Sequence, residues 1–284
     1  MLHDSEVQRA ADTYQLGLPR MPASGRSGEL LGRGTGSSLE FQEYREYMPG
    51  DDIRHLDWGA YARSDTLMVR LYREEISPRT EILLDASRSM TSGGRFKELV
   101  ARQLTALFAL LAGRLGGRPQ VLPLGDGPAQ PLGLEALERL AQFPFTGQAS
   151  IVELLQSHQV PLKRQAIRIV ISDFLFPHDP ASFIRRLATE ASALWVIQVL
   201  NSWEANPTAI GGRRMIDVET GAESMIVVDR RAVESYLGRL TALQEELLRN
   251  CRRVHATFAT LIADRGLPTL CRDDLCAAGI LRIA

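Results

Sequence analysis

The sequence predicts an α/β protein built on a mostly parallel sheet with helices on both faces. Short, mainly apolar runs recur along the chain, and two of them end in a carboxylate, at Asp85 and Asp173. Such runs are typical of buried parallel strands. Segments with apolar residues at helical spacing lie between the runs. This alternation predicts parallel strands joined by helices that cover both sides of the sheet.

The α/β region begins at Thr80, where longer apolar runs replace the short apolar alternations of the preceding sequence. Strands are predicted at 81–85, 121–124, 167–173, 193–200 and 257–262. Helices are predicted at 96–111, 133–142, 150–157, 180–191, 230–252 and 268–278. Two apolar runs, 214–218 and 225–228, flank the turn sequence ETGAE and predict a β-hairpin. The first helix has its apolar positions at Phe96, Leu99, Val100, Leu104, Leu107, Phe108 and Leu111.

The region before Thr80 has a different character. A short helix is expected in the first 20 residues, followed by a Gly- and Ser-rich run at 22–38 that is typical of a loop. From Leu39 to Ile76, short apolar alternations predict extended segments and turns. We therefore expect an irregular, extended β arm over residues 1–79. Residues 80–284 form the α/β domain with a C-terminal hairpin and helix.

Composition excludes several classes of protein. With 33 Lys+Arg against 34 Asp+Glu the net charge is −1, which argues against binding nucleic acid through bulk charge. The most apolar stretch, Leu104 to Gly113, is too short to span a bilayer of about 30 Å. The acidic N-terminal sequence does not resemble a secretory signal. Three cysteines do not make a disulfide framework, so we expect a reduced, cytoplasmic protein.

Polar side chains follow the first predicted strand in a pattern that suits a hard cation. Asp85, Ser87 and Ser89 alternate along a turning loop, and Asp173 ends another parallel strand. Ligands of parallel sheets gather at the carboxyl ends of the strands. Mg²⁺ prefers six oxygen ligands and would relieve the repulsion between the two carboxylates. Alternatively, these residues only cap the helix that follows.

The hexapeptide DASRSM (85–90) resembles the metal-ion-dependent adhesion site of von Willebrand factor A-like domains. The resemblance implies a von Willebrand A-like fold and a Mg²⁺ or Mn²⁺ site formed by Asp85, Ser87, Ser89 and Asp173. It also implies a threonine from a loop between the two strands. Thr146 is the candidate, although it precedes Gly147 where the family places the threonine after the glycine. Ser150 is the alternative. This departure leaves open a weak or absent metal.

A second resemblance is to the bacterial domain-of-unknown-function family 58, whose pattern is roughly R-x-Y-x-P-G-D-x-x-R-x-I-D-W followed by A-R. The matching residues here run from Arg45 to Trp58, with Leu56 in place of isoleucine, and continue at Ala62-Arg63. Asp217, Glu219 and Gly221 resemble the D-x-E-x-G element of that family. From the residues themselves, we expect pairing of Arg45, Arg54 and Arg63 with the nearby Asp51, Asp52 and Asp57 to hold the arm against the α/β domain, with Trp58 as its apolar anchor. Alternatively, Asp51, Asp52 and Arg63 form a surface for a partner or ligand.

Together the resemblances imply a non-enzymatic protein-interaction module. In von Willebrand A-like domains the bound ion keeps an open position that an Asp or Glu of a partner fills. Family members often accompany MoxR-type AAA+ ATPases, which implies an adaptor in the assembly or activation of protein complexes. Two alternatives remain: a metal-dependent hydrolase using the two strand-end aspartates, and a structural protein whose metal site is degenerate.

Overall fold

The computed structural model describes residues 2–18, 39–74, 79–157, 160–217 and 221–284. The chain divides into two compact units, one made of residues 1–19 with 78–284 and the other of residues 20–77. In chain order the strands and α-helices are α1 (Ser5–Thr13), β1 (Tyr14–Leu16), β2 (Leu39–Glu46), α2 (Trp58–Ser64), β3 (Met68–Glu74), β4 (Thr80–Asp85), α3 (Arg95–Arg114), β5 (Pro119–Leu124), α4 (Ile151–Gln156), β6 (Ile167–Ser172), α5 (Pro180–Ala188), β7 (Ala193–Leu200), α6 (Ser202–Ala205), β8 (Gly211–Ile216), β9 (Glu223–Val228), α7 (Arg230–Arg253), β10 (Thr257–Ile262), α8 (Leu267–Thr269) and β11 (Leu281–Ile283).

The larger unit is built on a five-stranded parallel sheet in the order β10-β7-β6-β4-β5. The predicted α/β fold is confirmed. Strand β4 is the first of the five along the chain, and it lies between β5 and β6. The chain therefore leaves β4 toward one edge of the sheet and later continues on its other side. This reversal is a topological switch point, where ligands of open α/β sheets bind.

Alternate residues of the central strands pack into two separate cores. On β4, Ile82 and Leu84 belong to the core under α1 and α3, whereas Leu83 belongs to the core under α4, α5 and α7. On β6, Ile169 and Val170 divide in the same way. Side chains of a strand alternate between its faces, so this division means that both faces are covered. It also explains why the strands are mainly apolar, with the buried charges of Glu81 and Arg168 paired to each other at 3.1 Å.

The first residues of the chain belong to the larger unit, which revises the arm that we expected over 1–79. Helix α1 packs on α3, with Val7 and Ala11 buried, and β1 pairs antiparallel with β11. The sequence signal for β1 and β11 is only three residues each, too short for a periodic pattern. The Gly- and Ser-rich run predicted as a loop at 22–38 lies outside the described residues.

The smaller unit is an antiparallel hairpin of β2 and β3, with a 3₁₀ turn at Ile53–His55 and helix α2 between the strands. Arg45 pairs with Asp51 at 2.7 Å and Arg54 pairs with Asp52 at 2.6 Å, as expected.

Asp57 has a partner that the sequence did not single out. It pairs with Arg70 at 2.8 Å. It also accepts the Tyr44 hydroxyl and caps α2 through the Ala60 N–H. Trp58, the first residue of α2, is 65% exposed.

Three predictions of local structure need correction. The helix predicted at 133–142 is a 3₁₀ helix from Leu134 to Gln142, and the segment predicted as a helix at 268–278 is α8 followed by a π-helical turn at Leu270–Leu275. In α3 the predicted apolar stripe has the wrong phase in its first turn. Phe96 and Leu99 are exposed, while Lys97 is fully buried beside Val100.

Among the described residues, no helix combines the length and apolarity needed to cross a membrane.

Candidate functional site: a carboxylate and hydroxyl cleft at the switch point

Asp85 lies at the end of β4 and is almost completely buried. Its Oδ1 accepts the backbone N–H of Ser87 at 2.9 Å, and its Oδ2 accepts the hydroxyl of Ser172 at 2.6 Å. The sequence brings the first contact about because a carboxylate two residues before an N–H readily closes an Asx turn. The second contact joins the ends of β4 and β6 across the switch point. Asp85 is therefore held from both strands.

The hydroxyls of Ser87 and Ser89 converge in front of Asp85. Their Oγ atoms are 3.0 Å apart. Neighbouring ligands of an octahedral Mg²⁺ ion with bonds of about 2.0–2.1 Å are separated by about 2.9–3.0 Å. In this structure the two hydroxyls are hydrogen-bonded to each other, and the same separation would let both bind one hard cation.

Thr146 does not join this group. It is exposed and is not among the residues that line the cleft. Gly147, the next residue, pairs with the loop after β4: its N–H donates to Ala86 O, and its carbonyl accepts the Arg88 N–H. A Cβ atom on Gly147 would lie 3.0 Å from the Cα of Gly125, so the close approach requires glycine. Gln148 and Ser150 line the cleft instead, although Ser150 also caps α4.

Asp173 follows β6 and contacts a buried cation that belongs to the chain. Lys97, in the first turn of α3, has no solvent exposure, and its Nζ lies 2.8 Å from Asp173 Oδ2. The same Nζ lies 2.8 Å from Glu204 Oε1 and 3.0 Å from the carbonyl oxygen of Ser89. An ammonium group has three donors, and three acceptors surround this one. Burial alone would lower the pKa of Lys97, but the charges of Asp173 and Glu204 outweigh it and raise the pKa.

Glu204 is fixed at the start of α6 by a capping box. Its Oε2 accepts the backbone N–H of Asn201, and the Asn201 Oδ1 accepts the N–H of Glu204. The Ser92 hydroxyl donates to Glu204 Oε1 at 2.6 Å. Gly93 is packed against Asn201 so closely that a Cβ atom there would lie 2.1 Å from its Nδ2. The loop after β4 and the start of α6 are therefore held together around Lys97.

The backbone of Asp173 is supported from beneath by buried polar groups. Gln198 on β7 is fully buried and donates to the Asp173 carbonyl at 2.8 Å. Gln244 on α7 in turn donates to Gln198 at 2.9 Å. Phe174 has φ of 55°, a left-handed conformation that is rare for a bulky residue and turns the chain sharply after Asp173. Such strain is found where surrounding contacts fix a functional loop.

These residues border a cleft of about 640 Å³. The described residues that line it are Ser87, Ser89, Ser92, Gln148, Ser150, Glu153, Asp173, Leu175, Phe176, Pro177, Glu204, Ile216 and Asp217. This lining contains four carboxylates and no Lys, Arg or His. Asp85 lies behind the lining, beneath Ser87. The structure therefore brings together four of the five predicted site residues and leaves Thr146 apart.

The acidity of this region shifts the protonation of Asp85. Burial, together with the charge of Asp173, raises the pKa of Asp85 from 3.8 to about 6, and the hydrogen bonds from Ser172 and Ser87 offset only part of this. Asp85, Asp173 and Glu204 set against Lys97 leave two formal negative charges when all are ionised. A divalent cation has the charge that this cluster lacks.

The donor set fits a hard cation that keeps several waters. Among the described residues, no group of three or more His, Cys, Asp or Glu side chains is arranged to hold a metal ion. An ion here would depend on the hydroxyls of Ser87 and Ser89, on the carboxylates behind them, and on water. Mg²⁺ and Mn²⁺ accept such oxygen ligands.

The C-terminal hairpin of β8 and β9 reaches the cleft through Ile216 and Asp217. Ile216 pairs with Glu223 and Arg214 pairs with Met225, so Ile216, Met225 and Val227 share one face. They are 52%, 76% and 64% exposed. The same face carries Arg214 and Glu223, which form an ion pair at 3.4 Å, so the hairpin face beside the cleft combines three exposed apolar side chains with one ion pair. Of the predicted D-x-E-x-G element, Asp217 lines the cleft and Glu219 lies outside the described residues.

The family model described as protein of unknown function DUF58 matches residues 43–246 of this chain. The chain belongs to the DUF58 family. It is 24% identical over 279 residues to two curated relatives, Uncharacterized protein Rv1480 of Mycobacterium tuberculosis and Uncharacterized protein Mb1516 of Mycobacterium bovis. Each alignment covers 93% of this chain and 87% of the relative.

Solved structures similar to this DUF58 chain have low TM-scores. BatB from Bacteroides thetaiotaomicron is 13% identical, with a TM-score of 0.38, and the match covers 65% of this chain and 90% of that one. The SpRpn10 VWA domain is 15% identical, with a TM-score of 0.34 and coverage of 43% and 75%. An aerotolerance-related membrane protein from Bacteroides fragilis is 12% identical, with a TM-score of 0.32 and coverage of 61% and 99%.

Sequence reasoning found the strand-end aspartates but missed Lys97 and Glu204. The signal for Lys97 was present. It is one of two lysines in the chain, and it precedes Val100 and Leu104 by three and seven residues, on the apolar face of α3. Nothing in the sequence distinguishes Glu204, because its contact with Lys97 spans 107 residues.

Replacing Lys97 by Met will destabilise the larger unit. The substitution leaves Asp173 and Glu204 buried together without their cation, which typically costs about 3–5 kcal/mol. Urea unfolding monitored by circular dichroism measures the loss. Lys163→Met, at the other and exposed lysine, is the matched control and should stay within about 0.5 kcal/mol of wild type. Equal stabilities of the two variants would contradict the role given to Lys97.

Asp85 makes stability depend on pH in an unusual direction. Because its pKa is higher in the folded state than in the unfolded state, protonation stabilises the fold, and this contribution is lost as pH rises through about 6. With EDTA present, Asp85→Asn should therefore remove a decrease in unfolding free energy between about pH 4 and pH 7. Chemical unfolding at a series of pH values measures it. Asp12→Asn, at an exposed carboxylate on α1, should leave this dependence intact.

Proposed function

We propose that this DUF58 protein is a protein-interaction module, without enzymatic activity of its own, that binds a partner at the cleft of the switch point. The observation that carries the proposal is the cleft itself, where carboxylates lie behind the hydroxyls of Ser87 and Ser89 and an apolar rim adjoins them. At about 640 Å³ it has room for several side chains of a partner. No His or Cys is among the described residues that line it, so these residues offer no thiol nucleophile and no histidine to activate a serine.

We propose that binding depends on Mg²⁺ or Mn²⁺ held by Ser87 and Ser89, with Asp85 and Asp173 supplying negative charge behind them. The spacing of 3.0 Å between the two hydroxyl oxygens supports this. An Asp or Glu of the partner would complete the ligands of the ion. The acidic lining supports the need for a cation, because the cleft by itself repels a carboxylate.

The hairpin offers the partner a second contact. Ile216 lies at the rim of the cleft, and Met225 and Val227 extend the same face away from it. A segment that places its acidic residue in the cleft would lay apolar side chains on these three residues, beside the ion pair of Arg214 and Glu223. Burying each of these side chains would contribute about 1.5–3 kcal/mol at most.

The resemblance to family 58 adds a candidate partner, a MoxR-type AAA+ ATPase, for which this chain would act as an adaptor in assembling or activating protein complexes.

We also propose a cytoplasmic location. The three cysteines are free thiols, and Cys251 and Cys271 are buried, which is the condition expected in a reducing compartment.

Binding of a purified MoxR-type ATPase from the same cell tests the proposal. With the full chain immobilised, we expect binding in Mg²⁺ that is lost in EDTA and reduced at least tenfold by Ser87→Ala combined with Ser89→Ala, because both hydroxyl ligands are removed. Lys163→Met is the control and should bind like wild type. Biolayer interferometry measures the affinities. Met225→Ser combined with Val227→Ser should weaken binding in Mg²⁺ without changing its metal dependence.

Different results would contradict different parts of the proposal. Undiminished binding in EDTA would reject the dependence on a metal. No binding to this ATPase would reject the candidate partner. Turnover of phosphoester substrates that disappears in Asp85→Asn would reject a non-enzymatic module and favour the hydrolase.

A further inference from the structure

The position of Lys97 is costly unless the fold compensates for it. A cation in the first turn of a helix opposes the helix dipole, and Lys97 is the third residue of the 20-residue helix α3. Its charge is also completely removed from solvent. The chain compensates with two carboxylates and one carbonyl oxygen, drawn from the end of β6, from α6 and from the loop after β4. These are the segments that form the floor of the cleft.

We propose that Lys97 is a built-in cation that holds Asp173 and Glu204 in place without a divalent ion and thereby keeps the metal affinity of the cleft low. The proposal rests on the proposed function, since it concerns the affinity of the same metal site. Asp173 Oδ2 is engaged by Lys97, and Oδ1 accepts the backbone N–H of Leu175 at 3.0 Å. An incoming ion therefore meets a carboxylate whose charge is already balanced.

Two consequences follow for the wild-type protein. The cleft is formed before a metal arrives, because the repulsion between Asp173 and Glu204 is relieved from within. The ion is held mainly from the side of Ser87 and Ser89, and the nearby ammonium repels it. Lys97 is thus a positioning residue for Asp173 and a determinant of how strongly the cleft binds metal.

A double variant that leaves the net charge of the cluster unchanged distinguishes this role from a purely structural one. Replacing Lys97 by Met and Glu204 by Gln removes one positive and one negative charge, so the net charge of the cluster is unchanged while Asp173 is released. We expect Mn²⁺ alone to bind the double variant at least tenfold more tightly than wild type in isothermal titration calorimetry of the full chain. We also expect Mn²⁺ to raise the melting temperature of the double variant more than that of wild type.

Two control variants test whether the gain in Mn²⁺ affinity arises at the cleft. Ser87→Ala, added to the double variant, should abolish the gain in affinity, and Lys163→Met should bind Mn²⁺ like wild type. If the double variant does not fold, Lys97→Gln with Glu204→Gln makes the same change of charge while keeping hydrogen-bonding groups in the floor of the cleft.

If the double variant binds Mn²⁺ more tightly than wild type, the inference is supported. This includes the case in which wild type shows no measurable binding. Equal or weaker binding, or binding by neither protein, overturns it, because Lys97 would then not be what limits the metal site. Binding of the ATPase is measured in a separate experiment. A result that overturns the role of Lys97 therefore does not decide whether the chain binds the ATPase.

Discussion

The buried ammonium of Lys97 is the interaction on which the rest of the site depends. It joins a helix, the end of a central strand and a capping residue that are 76 and 107 residues away along the chain. Without it, Asp173 and Glu204 would be two anions in a region of low dielectric constant. The loop after β4 and the start of α6 meet around this cation, and both border the cleft. The charge of one lysine thus determines the geometry of the surface that we propose for partner binding.

The strand order places this cation where a ligand is expected. Because the chain leaves β4 on one side and continues on the other, the loops after β4 and β6 separate at the carboxyl edge of the sheet. Asp85 and Asp173 stand on either side of this gap, and the Ser172 hydroxyl connects the two strands. The strand order forms the cleft, and the carboxylates give it a negative charge. In our proposal this charge attracts the ion, and the ion binds the acidic side chain of the partner.

The fold was largely predictable from the sequence, because apolar runs with carboxylates at their ends are a local signal. The five parallel strands all lie where the sequence predicts them. The predictions were wrong where structure depends on distant residues. The phase of α3 was wrong in its first turn because a polar residue, Lys97, is buried there while Phe96 is exposed. The pairing of Asp57 with Arg70 was not predicted, because it depends on the hairpin that brings β3 beside Asp57.

The candidate site was predictable in part for the same reason. Asp85, Ser87, Ser89 and Asp173 are tied to strand ends, and the structure brings them together. Thr146 was selected by likeness to a motif and lies apart, whereas the neighbouring Gly147 pairs with the loop after β4. Glu204 depends on the packing of α6 against the loop after β4, which no spacing in the sequence encodes.

A crystal structure of the full chain with Mn²⁺, located by its anomalous scattering, tests the account most directly. We predict one ion beside Ser87 and Ser89, with Lys97 still in contact with both Asp173 and Glu204. An ion bound directly by Asp173, with Lys97 displaced from it, would contradict the account.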